Sequence, residues 1–122
     1  MSTNCSISVK TADRKFRTIY CHWDGYPQHT GNILNNHYNS QEMAEVLVAM
    51  GDASYIESTI GKSQFYGKSF EPRVYDNIED VRDHEAQEFN YFWIDGKWYV
   101  SRGHEKRKYT ISRALTFTKW ES

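Results

Sequence analysis

Apolar and polar positions alternate along two stretches near the start of the chain, NCSISVK (4–10) and KFRTIYCHW (15–23). Both are rich in β-branched and aromatic residues, and the polar break Thr11–Arg14 between them predicts a β-hairpin. A turn over Ala12, Asp13 and Arg14 sets Cys5 opposite Cys21, Ile7 opposite Ile19 and Val9 opposite Arg17, which gathers most of the aliphatic side chains on one side. The pattern then breaks at Asp24-Gly25-Tyr26-Pro27, where Gly accepts positive φ and Pro cannot continue a ladder. The spacing next predicts a short helix from Gly31 to Tyr38 capped by Thr30, with Ile33, Leu34, His37 and Tyr38 on one face. A clearer helix runs from Gln41 to Met50, capped by Ser40. Its Met43, Val46, Leu47 and Met50 fall at i, i+3, i+4, i+7 and are expected in the core.

From Ala53 to Tyr75 no period is sustained, as a missed strand or a working loop would leave it. Asp76 and Glu79 stand at capping-box spacing ahead of a short, largely exposed helix that carries Ile78 and Val81. The strongest local signal is EFNYFWIDGKWYVS (88–101), where Asp95-Gly96 is a type I′ turn pair that sets Trp93 opposite Trp98, Phe92 opposite Tyr99 and Tyr91 opposite Val100. Large apolar groups on both faces of this hairpin predict a central pair of strands covered on two sides, with one covered face and one exposed aromatic platform as the alternative. A basic turn, Arg102–Lys108, leads to Thr110 as the cap of a last helix carrying Ile111, Ala114, Leu115 and Thr118. A strand through Tyr109 and Ile111 is the alternative. The elements together predict a single α+β domain over residues 1–122: an antiparallel sheet built from two β-hairpins, with two or three short helices packed on one face.

Composition narrows the functional classes. The net charge of −1 removes the global electrostatic argument for a nucleic-acid coat, a polybasic membrane binder or an acidic DNA mimic. The 9 Tyr, 6 Phe and 4 Trp outnumber Val, Ile and Leu, so aromatic packing must supply much of the core. No run reaches the length of a membrane span, and the opening residues lack the basic and apolar regions of a secretory signal, so a cytoplasmic protein is expected. Cys5 and Cys21 form no CxxC pair and are expected to be buried, reduced thiols.

Two clusters carry candidate chemistry. The first runs Tyr20-Cys-His22-Trp23-Asp24-Gly-Tyr26-Pro and on to His29 and Thr30. Strand alternation sets His22 and Asp24 on the side of Tyr20 and separates them from Cys21 and Trp23, which argues against a Cys21–His22 nucleophile and base. His22, Asp24 and His29 have no accepted metal-ligand spacing, and no cofactor motif is present. In the second cluster Lys62, Lys68 and Arg73 interleave with Phe65, Tyr66 and Phe70. Cations for phosphates and rings for bases are what a nucleotide or a single strand requires, while a solvated loop anchored by its aromatics accounts for the same residues. The Gly-Lys-Ser repeats lack the GxxxxGK frame of a phosphate loop.

The string Thr18-Ile-Tyr-Cys-His-Trp-Asp-Gly-Tyr-Pro27, with Gly31, Ile33-Leu34-Asn-Asn-His-Tyr38, Leu47, Gly51-Asp52, the EFNYFW-x-DGKWYV hairpin and Ser6-Ile-Ser-Val-Lys10, resembles a family of small uncharacterised proteins of tailed phages and prophages. The resemblance covers both ends of the chain and leaves out residues 53–75. It implies the cytosol of an infected bacterium and an accessory role, commonly the binding or inhibition of a host factor, defence systems included.

The expectation is therefore a non-enzymatic, phage-type binding protein that engages a host protein or sequesters a nucleotide-like ligand. Tyr20, His22, Trp23, Asp24, Tyr26, His29, Thr30, Lys62, Phe65, Tyr66, Lys68 and Arg73 form the candidate surface, and homo-oligomerisation is left open. One alternative is a small hydrolase or transferase with His22 as base and Asp24 as its orienter. Another is a nucleic-acid binder that uses the 61–73 and 102–108 clusters.

Overall fold

The structure is a computed structural model that describes residues 2–117 and residue 120. Strands β1 (Cys5–Lys10) and β2 (Phe16–Cys21) form the first hairpin, with Cys5 opposite Cys21, Ile7 opposite Ile19 and Val9 opposite Arg17 as the alternation requires. Arg14 holds φ at 66°, a left-handed position that glycine would ordinarily fill. Asp13 makes it tenable by accepting from the Thr11 hydroxyl and, at 3.1 Å, from the Lys15 N–H.

After β2 the chain makes a π-helical turn, Pro27–Gly31, before α1 (Asn32–His37), so the predicted helix start is displaced. Thr30 is not a cap: its hydroxyl donates to the Asp24 carbonyl at 2.7 Å and is fully buried. Leu34 in α1 and Tyr38 just after it reach the core, whereas His37 stays exposed. Helix α2 (Gln41–Ala49) is capped by Ser40, whose Oγ accepts from the Met43 N–H at 3.1 Å.

The buried face of α2 is Ala44, Leu47 and Val48, while Met43, Val46 and Met50 are exposed, which corrects the expectation that they lie in the core. Gln41 turns the helix. Its Oε1 accepts from the Trp93 indole at 2.7 Å and its Nε2 donates to the Lys10 carbonyl at 3.0 Å, so the 41–44–48 side meets the sheet.

The aperiodic 53–75 stretch holds three very short strands, β3 (Ala53–Tyr55), β4 (Gln64–Phe65) and β5 (Arg73–Tyr75). Helix α3 (Ile78–Glu85) is capped by Asn77, one residue after the Asp76 that the capping-box spacing suggests, with Asn77 Oδ1 accepting from the Asp80 N–H at 2.8 Å. Strands β6 (Phe89–Ile94) and β7 (Lys97–Arg102) form the second hairpin in the expected register, with Asp95 at φ 50° and Gly96 at φ 85° in the turn. Strand β8 (Tyr109–Thr110) and α4 (Ile111–Ala114), capped by Thr110, complete the order, so the strand and the helix expected at this point both occur in part. Thr118 lies outside the described residues.

The eight strands among the described residues form one sheet in the order β4-β3-β2-β1-β6-β7-β8, with β5 also paired to β2. The sheet is mixed rather than antiparallel, because β1 joins β6 in parallel, Ile7 beside Tyr91 and Val9 beside Trp93. Both hairpins exist, but their junction is a nonlocal pairing that no turn chemistry announces. Cys5, Ile7, Val9, Ile19, Cys21, Phe89, Tyr91, Trp93, Trp98 and Val100 point to one face and form the main core with α1, α2 and α4.

The other face is also covered. Ser6, Ser8, Thr18, Asn90 and Ser101 are buried there, with Ser6 donating to Asn90 Oδ1 at 2.8 Å and Ser8 bonded to Thr18 at 2.7 Å. Helix α3 closes this face by packing Val81 on Phe16 and Phe92, so helices α1–α4 lie on both faces of the sheet rather than one.

Candidate functional site

The outer edge of β2 is shared. Phe16, Arg17 and Thr18 pair with β5, and Cys21 pairs with β3. Between these partners the Tyr20 N–H donates to Asp52 Oδ1 at 2.8 Å, which satisfies a group the ladder leaves out. Arg73 Nη1 reaches both oxygens of Asp52, at 2.8 and 2.9 Å. Its Nε and Nη2 donate to Glu85 at 2.6 and 2.9 Å, and the Tyr75 hydroxyl donates to Glu85 at 2.6 Å. The Glu85 hydrogen bonds, with Asp52 behind them, hold the Arg73 guanidinium above its ordinary basicity against the opposing effect of burial. Burial, and then Glu85, push the Tyr75 phenol up to about 12. Arg73 thus links β2, β3, β5 and α3 through Asp52 and Glu85, and most of its donors are engaged in that network.

Asp52 also anchors a second segment through its main chain. Its carbonyl accepts from the Tyr66 N–H at 3.0 Å and its own N–H donates to the Phe70 carbonyl at 2.9 Å, which lays residues 66–70 beside the end of β2. There the Tyr20 hydroxyl meets His22 Nδ1 at 2.7 Å. Asn4 Nδ2 donates to the His22 carbonyl at 2.8 Å and stands 3.3 Å from the same Nδ1.

Strand alternation ends at Cys21, and the bend after it brings Trp23 edge-on to His22, ring centres 4.8 Å apart at 87°, where continued alternation would have separated them. Tyr66 and Phe70 pack together at 5.4 Å. Burial raises the Tyr20 phenol above its ordinary range, and the proximity of Tyr66 adds to that. Trp23, Tyr66 and Phe70 are 45%, 45% and 47% exposed. Tyr20, His22 and Trp23 therefore form one ring group and Tyr66 and Phe70 a second, and Asp52 sets the two at the same β2–β4 end of the sheet as an aromatic shelf that joins part of the first candidate cluster to part of the second.

The remaining candidates go elsewhere. Tyr26 packs on the main core with His29 beside it, ring centres 6.2 Å apart, while Thr30 is wholly structural. Asp24 adopts φ 57°, which moves the turn's positive φ away from Gly25, and it makes no hydrogen bond to His22 among the described residues. Gly25 is required for space: a Cβ there would stand 2.8 Å from the Cys5 Cβ and 2.9 Å from the Asn4 carbonyl carbon. Phe65 turns to the core.

Lys62 ends a 3-10 turn, Ile60–Lys62, and Lys68 begins another, Lys68–Phe70, with both side chains exposed. Lys68 borders an open groove of about 310 Å³ with Met50, Gly67 and Glu71. Among the described residues no group of three or more His, Cys, Asp or Glu side chains gathers as a metal site, and no helix is long and apolar enough to cross a membrane.

Asn4, Asp52 and Glu85 belong to the scaffold of the shelf and are not legible as such in the sequence, because each acts across a long stretch of chain. No family model matches the chain, and neither the curated proteins nor the solved structures include one significantly similar to it.

Proposed function

We propose that the chain is a non-enzymatic, phage-type accessory protein that binds a host protein through the aromatic shelf of Tyr20, His22, Trp23, Tyr66 and Phe70. The observation that carries this reading is the exposure of Trp23, Tyr66 and Phe70, each near one half, on a base fixed by hydrogen bonds. Exposed aromatic area is costly in water unless something covers it, and rings already held in place lose little entropy when a partner does so. Three rings near half exposure at one end of the sheet suit the apolar contact of a protein surface. The nucleotide reading loses its anchor, because Arg73 is committed to Asp52 and Glu85. The hydrolase reading loses its orienter, because His22 Nδ1 faces Tyr20 and Asn4 rather than Asp24. The resemblance to phage proteins supplies the setting, an infected bacterial cytosol.

The test is a tagged pull-down from phage-infected cells, followed by affinity measurement with the captured protein. Trp23→Ala and Tyr66→Ala should each weaken binding by about 2 kcal/mol or more, the scale of an aromatic hot spot, at unchanged melting temperature. Tyr26→Ala, on the core side, should lower the melting temperature and leave affinity per folded molecule intact. Unchanged affinity in both shelf variants would remove the shelf as the binding surface.

A further inference from the structure

Charge is unevenly distributed over the chain. Residues 97–113 hold six Lys or Arg and one carboxylate, Glu105, and because the whole chain is −1 the remainder carries −6. This segment is the β7–β8 edge, the opposite end of the sheet from the aromatic shelf.

Here cations are laid over rings. Lys108 Nζ lies 5.4 Å from the Tyr99 ring centre, the Arg107 guanidinium 5.5 Å from Tyr109 and the Arg113 guanidinium 5.7 Å from Phe117. Tyr109, Phe117 and Trp120 in turn pack edge to face at 4.8–5.6 Å, so the rings beneath two of these cations are fixed by one another. Lys106, Arg107, Lys108 and Arg113 form no ion pair among the described residues. The turn that carries three of them is pinned at its backbone. The Gly103 N–H donates to the Glu88 carbonyl at 3.0 Å, and the Gly103 and Lys106 carbonyls accept from Asn90 at 2.8 Å and Arg82 at 2.6 Å.

We infer that this edge is a binding surface for single-stranded nucleic acid, in which Arg107, Lys108 and Arg113, held over their rings, meet phosphates and the outer faces of the two guanidinium groups receive bases. Charge complementarity fixes the sign of the partner, since this edge carries a net +5 on a chain whose other residues sum to −6. The repeated pairing of one cation with one ring matches the nucleotide's own repeat of one phosphate and one planar base, which a run of carboxylate side chains on a protein does not reproduce. The surface is independent of the aromatic shelf, so either assignment can fail alone.

The experiment is fluorescence anisotropy of a labelled oligothymidylate, about twenty nucleotides long, titrated with the full chain at several salt concentrations. Three phosphate contacts predict a log–log salt slope of about −2, equivalent to about a 20-fold loss of affinity between 50 and 200 mM salt. The triple variant Arg107→Gln, Lys108→Gln, Arg113→Gln, all exposed positions, should lose at least about tenfold in affinity at low salt and flatten the slope. The wild-type slope stands as a second measurement should the variant fold poorly. Absence of saturable binding, a slope near zero, or an unchanged triple variant of normal melting temperature would each overturn the assignment. Competition by polyglutamate as strong per charge as by the oligonucleotide would overturn it in favour of an acidic protein partner.

Discussion

Replacing Arg73 by Met tests the frame behind the shelf. The substitution keeps an unbranched stem and removes the guanidinium that four hydrogen bonds tie to Asp52 and Glu85. Those two carboxylates have side chains only 12% and 10% exposed, and without Arg73 they share a poorly hydrated space with no countercharge. Removing one partner from a buried ion pair costs about 3–5 kcal/mol. Arg73 itself is 34% exposed, so water reaches the network, and the figure is reduced to about 2–3 kcal/mol. In a domain of 122 residues about 3–5 °C of melting temperature accompanies each kcal/mol, which gives a fall of about 6–15 °C by circular dichroism. Glu85→Gln in the same background should then cost less than it does alone, because its charge no longer has a partner to lose. The difference between the two is a coupling of about 1 kcal/mol or more. Asp76→Asn, which breaks the exposed pair with Lys15, is the control and should change stability by no more than about 0.5 kcal/mol. A fall below about 3 °C for Arg73→Met, or additive effects of Arg73→Met and Glu85→Gln, would refute a cooperative network.

Gly25→Ala should destabilise the chain by about 1–3 kcal/mol, since the added methyl meets main-chain atoms of Asn4 and Cys5 that cannot turn aside; an unchanged denaturant midpoint would show that the corner is pliable. Cys5 and Cys21 should both react with iodoacetamide only on unfolding, and counting on protein alkylated in the cell should find two free thiols. Burial, reinforced by Cys21, raises the Cys5 thiol well above its ordinary value. The folded state therefore keeps that proton longer than the unfolded one, and the associated stability is complete below about pH 8.5 and lost as pH rises beyond it. Rapid alkylation of the native protein at pH 8 would contradict this.

What the sequence makes legible is what neighbouring residues decide. Asp95-Gly96 fixes the second hairpin to the residue, Ser40 and Thr110 cap the helices they precede, and alternation puts Cys5 opposite Cys21. Distant partners stay hidden. Ser6 and Ser8 are buried, and Ser6 finds Asn90 across 84 positions, a partner that nothing beside it in the chain announces. Met43, Val46 and Met50 read as core because they lie at helical spacing, until Gln41 ties the helix to Trp93 and Lys10 in another rotation. Strands of two or three residues such as β4 and β5 are shorter than any period that could reveal them. At the candidate surface Tyr20, His22, Trp23 and Tyr66 are legible from their residue types. The ion pairs of Arg73 stay hidden, because its partners, Asp52 and Glu85, come from other elements.

The parallel pairing of β1 with β6 bears on how the chain is made. At about 5–20 residues per second, the 84 residues that separate Ser6 from Asn90 take the ribosome about 4–17 s to add. Hairpin formation needs only microseconds, so β1 and β2 close long before β6 exists. For those seconds β1, which will end as a central strand, is a free edge carrying Cys5, Ile7 and Val9. The nascent hairpin is therefore at its most adhesive while the middle third of the protein is still being translated, and a chain halted before Phe89 keeps that edge permanently open.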